Sequence, residues 1–108
     1  MSSPTIYRYR NPWHDGLKYG PEFFEARVAP TEYRGFQIFK RFSKSYELVK
    51  DGVCLTIRGG AGGPRSLVDA LYGEANDEPA WRIERARSIA AKHGVALPRI
   101  AHRKTATA

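Results

Sequence analysis

The stretch Ser45-Tyr46-Glu47-Leu48-Val49-Lys50-Asp51-Gly52-Val53-Cys54-Leu55-Thr56-Ile57-Arg58 decides the fold. Two runs rich in branched and apolar residues flank Asp51-Gly52, and Asp-Gly is a strong hairpin signal because Gly accepts positive φ without steric cost. The pattern predicts strands over 45–49 and 53–58. In the second strand Val53, Leu55 and Ile57 share one face and Cys54, Thr56 and Arg58 the other. That alternation predicts a sheet with one apolar side in need of a cover.

Upstream, Tyr33 to Phe42 reads as one more strand, with Phe36 and Ile38 on one face, Gln37, Phe39 and Arg41 on the other, and Gly35 as a bulge. Residues 1–30 read as an N-terminal arm. Tyr7 and Tyr9 alternate with Ile6, Arg8 and Arg10 as in a short edge strand, and Asn11-Pro12, Asp15-Gly16 and Gly20-Pro21 then impose turns. Glu22 to Val28 suits a strand or a helical turn, closed by Pro30. Whether this arm joins the sheet is left open by the pattern.

Downstream, two helices are expected to cover the apolar side. Pro64 to Tyr72 starts with a residue preorganised for a first turn, places Leu67, Val68 and Leu71 on one stripe, and stops at Gly73. The second helix is expected to be capped by Asn76 or Asp77, to carry Pro79 in its first turn, and to run to about Lys92 before Gly94, with Pro98 beyond. Its apolar wall is Ile83, Ala86, Ile89 and Ala90. From Val95 onward periodicity is lost, so 95–108 reads as a basic, disordered tail. The expected architecture is α+β: a small antiparallel sheet of three or four strands with two C-terminal helices on one face, the globular part covering 31–94.

The 108 residues, 42% of them hydrophobic, suit one domain and exclude two full ones. No apolar run approaches the roughly 20 residues a membrane-spanning helix needs. A single cysteine, Cys54, makes no internal disulfide, and Met1-Ser2-Ser3-Pro4-Thr5 lacks the features of a secretory leader. The expected setting is cytoplasmic.

Charge is the best functional lead. Eighteen Lys and Arg against eleven Asp and Glu give +7, which favours acidic partners. The first thirty residues are nearly balanced, and the excess lies in two later blocks: Arg34, Lys40, Arg41, Lys44 and Lys50, then Arg85, Arg87, Lys92, Arg99, Arg103 and Lys104 with no acid after Glu84. A solvated surface and a basic tail would explain the same excess.

Three constellations can carry chemistry. On the second helix Trp81, Arg85, Ser88 and Lys92 project as one stripe, a surface on which a base or a partner side chain can stack beside cations. The bland alternative is that Trp81 folds over the sheet edge as core. On the long strand, Phe39 and Arg41 with Lys40, Phe42 and Lys44 interleave aromatics and cations, without an RNP-type signature and with half of the aromatics expected in the core. Finally, Gly59-Gly60-Ala61-Gly62-Gly63 ahead of Pro64-Arg65-Ser66 has the strand-loop-helix form of an anion cradle, with Gly60, Gly62, Gly63 and Arg65 as its elements. It lacks the Gly-Lys-Ser/Thr ending of a phosphate loop and the third glycine of the dinucleotide pattern, so a plain linker is the stronger reading.

No catalytic set emerges. Cys54 sits mid-strand, where a free cysteine is usually a packed hydrophobe, and His14, His93 and His102 have no spacing that assembles a base beside it or a zinc site. No cofactor or metal is expected. A helix-turn-helix is also disfavoured, because the 73–77 linker is long and the second helix carries few Asn or Gln side chains for base edges.

The Lys50-Asp51-Gly52 hairpin followed by Leu67-Val68-Asp69-Ala70-Leu71-Tyr72-Gly73 resembles, over about residues 33–73, small proteins of phages and other mobile elements. That resemblance carries no catalytic residue and implies work by binding, including inhibition of host complexes. The expectation is a non-catalytic binder of nucleic acid or nucleoprotein with low sequence specificity, using Trp81, Arg85, Arg87 and Lys92 aided by Lys40, Arg41 and Lys44. The first alternative is an inhibitor or adaptor that binds a host protein complex through the same residues, and the second is a phosphate-ligand binder or small enzyme using the glycine loop. Glu74, Asp77 and Glu78 could also match the basic surface of a second copy in a homodimer.

Overall fold

The computed structural model describes residues 5–16, 19–42, 45–59, 62–74 and 77–98. The chain order is β1 (Tyr7–Arg10), β2 (Phe23–Ala26), β3 (Thr31–Tyr33), β4 (Phe36–Phe42), β5 (Ser45–Lys50), β6 (Val53–Gly59), α1 (Gly62–Leu71) and α2 (Ala80–Lys92). Among the described residues the strands form one six-stranded sheet in the order β2-β1-β6-β5-β4-β3. The class is α+β as expected, with six strands where three or four were anticipated.

The additional strands have two origins. Residues within the N-terminal stretch join the sheet: β1 pairs antiparallel with β2 and lies parallel to β6, through Arg10 opposite Val53. Strand β1 is therefore an interior strand, and β2 takes the edge. At the other end, the expected single strand over 33–42 is broken by a tight turn, since Arg34 and Gly35 both adopt positive φ, near +52° and +87°. This is the backbone of a two-residue hairpin, the geometry that Asp51 and Gly52 share at +51° and +79°. Gly35 is thus a turn residue and not a bulge. An Arg in the left-handed region gives no sequence signal; its side chain supplies the compensation.

Arg34 Nη1 lies 2.9 Å from Asp69 Oδ1 and Nη2 lies 2.9 Å from Glu74 Oε2. Its guanidinium also sits 4.1 Å from the centre of the Tyr72 ring, while the Tyr72 hydroxyl donates to the Arg34 carbonyl at 2.7 Å. Tyr33 donates to Asp69 at 2.8 Å, and that bond to a carboxylate holds its hydroxyl above the usual tyrosine pKa. The β3–β4 turn is pinned by this cluster to the end of α1.

Both helices terminate alike. Beyond α1, Gly73 N–H reaches the Ala70 carbonyl and Glu74 N–H the Asp69 carbonyl; beyond α2, Gly94 reaches Ala91 and Val95 reaches Ala90. With Gly73 and Gly94 at positive φ these are Schellman caps. The second cap turns Val95 back onto Ala90 and buries it, with Leu97 packed behind, so Val95 belongs to the core and not to a tail. Residues 99–108, where the rest of the expected tail falls, lie outside the described residues. At its start, α2 has Pro79 as N-cap with no side-chain bond, so the expected capping by Asn76 or Asp77 is not the arrangement found: Asp77 lies beyond the cap, and Asn76 lies outside the described residues. The Pro79 carbonyl instead accepts from the Arg82 and Ile83 amides.

The helices cover one face of the sheet. Phe36, Ile38, Leu48, Val53 and Leu55 pack there against Leu67, Val68 and Leu71 of α1 and Ala86 and Ala90 of α2. Ile57 was expected on this face, but a register shift falls between Leu48 and Val49: Leu48 pairs with Thr56 and Val49 with Cys54, leaving Leu55 unpaired as a bulge. The bulge reverses the alternation, so Ile57 opposes Glu47 on the other side of the sheet and is 43% exposed.

That other side is apolar too, which corrects the expectation of a single apolar face. Tyr9, Phe24, Phe39, Val49 and Cys54 form a second buried cluster, with Tyr7, Trp13 and Ala26 against it. No helix among the described residues covers it, and the sheet covers it by curling. Strands β1 and β4 are three places apart, about 14 Å in a flat sheet, yet the Tyr9 and Phe39 rings stack with centres 4.6 Å apart. The irregularities at Lys40/Phe42 and Leu48/Val49 supply the local twist that such a curl needs. Beneath the rings lies Glu47, fully buried, whose Oε1 accepts from the Tyr9 hydroxyl.

Candidate nucleic-acid interface

The outer face of α2 follows from its inner one. Its buried residues are Ala86 and Ala90, and at 100° per residue Trp81 lies 140–180° away from them, on the outward pole. Trp81 is 54% exposed, so the reading in which it extends the core is not what the structure shows. The guanidinium carbons of Arg82 and Arg85 lie 4.7 Å and 5.2 Å from the indole centre. Arg82 Nη1 is also 3.6 Å from Glu78 Oε2, an i,i+4 pair. Arg85 makes no ion pair among the described residues.

Arg85, Ser88 and Lys92 continue the exposed stripe, and Arg87 is half-buried on one flank. Glu84, exposed beside Ser88, is the acid on this half of the helix. From Trp81 the Cα positions of Arg85, Ser88 and Lys92 lie about 6, 10.5 and 16.5 Å along the axis. The stripe is therefore an aromatic platform followed by a row of cations on a rigid element. Arg82 was not among the expected site residues; its signal was its place next to Trp81 and four residues after Glu78.

The other expected surfaces fare differently. Lys40 is exposed on β4. Phe39, the aromatic expected to stack beside it, is buried under Tyr7 and Tyr9. The side chains of Arg41 and Phe42 and the whole of Lys44 lie outside the described residues. Strand β4 is two places from β6, the strand on which α2 packs, and no ion pair or ring contact links Lys40 to the α2 stripe.

In the glycine segment, Gly62 and Gly63 are already the first residues of α1, and Pro64, fully buried, anchors that turn. Arg65 is exposed with its guanidinium 5.5 Å from the Tyr33 ring centre. Gly60 lies outside the described residues. Cys54 is fully buried among the aromatics, its thiol directed to the Thr56 carbonyl at 3.5 Å. His14 Nδ1 is 3.0 Å from the Gly20 carbonyl in the β1–β2 connection, and His93 caps the end of α2. Among the described residues no three ligating side chains gather in a way that could hold a metal.

A groove of about 540 Å³ runs beside β2, lined by Arg8, Pro21, Glu22, Phe23, Phe24 and Glu25. Its charges are matched internally, Arg8 with Glu25 at 3.5 Å and Arg10 with Glu22 at 3.4 Å. Phe23 carries both guanidiniums, at 5.5 and 4.7 Å. This edge thus pairs its charges internally, whereas Arg85 and Lys92 of the α2 stripe have no carboxylate partner among the described residues. No helix among the described residues is long and apolar enough to cross a membrane.

Comparison with protein-family models, curated proteins and solved structures finds no match to this chain. The functional reading therefore rests on the geometry.

Proposed function

We propose that the protein is a non-catalytic binding protein that engages nucleic acid, free or within a nucleoprotein, with low sequence specificity, through the outer face of α2. The observation that carries this reading is the half-exposed Trp81 flanked by the Arg82 and Arg85 guanidiniums. An exposed indole between two guanidiniums offers a face on which a base can stack, and the cations favour a partner that is itself anionic. Arg85, Arg87 and Lys92, which form no ion pair among the described residues, supply phosphate contacts, which position a nucleic acid without reading its sequence. The net charge of +7 adds long-range attraction.

The test is fluorescence anisotropy of labelled DNA and RNA titrated with protein across a range of salt. Binding that persists at physiological salt, with log K falling linearly in log salt, supports the reading. The double change Arg85→Ala, Lys92→Ala then removes most of the salt dependence. Absence of binding at physiological salt refutes it. In that case the same Trp and Arg residues, which are common anchors of protein interfaces, point to the inhibitor or adaptor reading, to be pursued by affinity capture with wild type against Trp81→Ala.

A further inference from the structure

We infer that the α2 face takes single-stranded nucleic acid, with Trp81 stacked on one unpaired base and Arg85 and Lys92 on the phosphates that follow it. This rests on the reading above and narrows it to one class of ligand.

The argument starts from what a duplex can offer an exposed indole. Inside a double helix the π-face of each base is covered by its neighbours, and only edges are presented in the grooves. Trp81 can donate through one indole N–H, a poor reader of edges, while its large face is useful only against a base that is out of the stack. The sequence of α2, Ala80 to Lys92, contains no Asn or Gln with which to read adenine edges, and Arg82 and Arg85, which could read guanine, lie against the indole. An aromatic ring followed by cations matches a strand whose bases are free to turn and whose backbone runs along the helix.

The cations around Trp81 are not equivalent. Arg82 is held at 3.6 Å by Glu78, whereas Arg85 lies against the indole and meets no carboxylate among the described residues. A base arriving on the ring displaces the guanidinium that is not otherwise tied. Arg85 then exchanges a cation–π contact for a charge-assisted hydrogen bond to phosphate, the stronger of the two interactions. Lys92, about 10.5 Å further along the axis, meets the same backbone at a later phosphate, with the Ser88 hydroxyl between them. One stacking platform with two or three cations predicts a weakly sequence-dependent ligand and a shallow salt slope, about −1.4 to −2.1 at about −0.7 per phosphate for single strands.

Three ligands separate the possibilities: a short unstructured oligonucleotide in DNA and RNA forms, a blunt duplex with the same number of phosphates, and inorganic polyphosphate. Intrinsic fluorescence is the readout, because Trp81 is exposed while Trp13 packs against the second core cluster. The single strand is expected to quench Trp81 emission and to bind at least about tenfold more tightly than the duplex. Trp81→Ala is expected to abolish the quench and, followed by anisotropy of the labelled strand, to weaken single-strand binding about 5- to 150-fold with the salt slope unchanged. Arg85→Ala should reduce the slope by about 0.7, and Trp81→Phe, which keeps a ring, should fall between wild type and Trp81→Ala. Both tryptophan variants alter an exposed side chain, and far-UV circular dichroism checks that the fold is retained. Equal, salt-sensitive binding of single strand, duplex and polyphosphate would overturn the inference while leaving the broader reading in place. Failure of every ligand at physiological salt would overturn both.

Discussion

If the sheet closes on itself, Tyr9 and Phe39 must be energetically coupled although two strands separate theirs. In a flat sheet the two side chains would stand about 14 Å apart, beyond the distance at which substitutions interact, and their effects would add to within about 0.3–0.5 kcal/mol. In the structure their rings stack at 4.6 Å and both are buried, at 2% exposure each. Stacked aromatic pairs contribute about 0.5–1.5 kcal/mol beyond the area they bury. The perturbation is a double-mutant cycle of Tyr9→Leu and Phe39→Leu, each single change costing about 1–3 kcal/mol. Tyr9→Leu also removes the hydrogen bond to Glu47, but that loss occurs in both legs of the cycle and cancels. Urea unfolding followed by circular dichroism is the assay. With an m-value of about 1–3 kcal/mol/M, a coupling of 1 kcal/mol displaces the double mutant's midpoint by about 0.3–1 M from additivity. Additive effects would refute the curled sheet and, with it, the claim that the second apolar cluster is closed by β1.

Gly52→Ala is expected to destabilise by about 1–2 kcal/mol, because φ is near +79° while nothing lies within 4 Å of the added methyl, so the cost is backbone alone. Gly52→Asn should recover part of it, and equal midpoints for wild type and Gly52→Ala would remove this turn assignment. Tyr33 has a folded-state pKa raised first by its bond to Asp69. Its contribution is therefore fully present below the unfolded value of about 10 and is lost as pH climbs through the folded one. The stability difference between wild type and Tyr33→Phe should stay constant to about pH 10 and then shrink, and a flat difference up to pH 11 would contradict the assigned hydrogen bond. The Cys54 thiol, fully buried, is expected to react with a thiol reagent at the rate of unfolding, and a burst of labelling in native buffer would contradict its placement. Asn11 donates to the Tyr19 and Pro21 carbonyls at 2.7 and 2.8 Å. Asn11→Asp, which replaces that donor with an acceptor, should cost about 1–3 kcal/mol in the same urea assay.

The parts of the fold that could be read from the chain are those where a local rule has one outcome. Asp51-Gly52 permits few turns, and Leu67, Val68 and Leu71 ahead of Gly73 specify both a buried stripe and its stop. The parts that could not be read depend on distant partners. Arg34 adopts a turn conformation that its own propensity disfavours, because Asp69, Tyr72 and Glu74 hold it from 35 residues or more away. Residues Tyr7–Arg10 carry a pattern suited to an edge strand and become interior because Tyr9 finds Phe39 and Glu47. A bulge at Leu55 inverts Ile57, and strict alternation cannot anticipate that shift. Val95 shows no periodicity because a helix cap, and not a helix or a strand, turns it inward.

The same distinction explains why the α2 stripe could be drawn from the sequence while the occupancy of its tryptophan could not. Helical spacing alone put Trp81, Arg85, Ser88 and Lys92 on one line. Whether that line faced the core depended on whether Trp81 or the set containing Ala86 and Ala90 took the contact with β6. The alanine set won, since Ala86 and Ala90 let α2 lie close against Val53 and Leu55, and an indole at that interface would have held the helix off the sheet. With small residues inward, the largest side chain of the helix is directed outward, and Arg82 and Arg85 cover the ring only in part. Exposure of Trp81 is thus a consequence of close helix–sheet packing. Enlarging Ala86 to Leu should cost about 1–3 kcal/mol by overpacking. While the fold holds, it should leave nucleic-acid affinity unchanged, whereas Trp81→Ala should leave stability nearly unchanged and reduce affinity. A loss of affinity in Ala86→Leu equal to that in Trp81→Ala would show that the two faces of α2 are not independent.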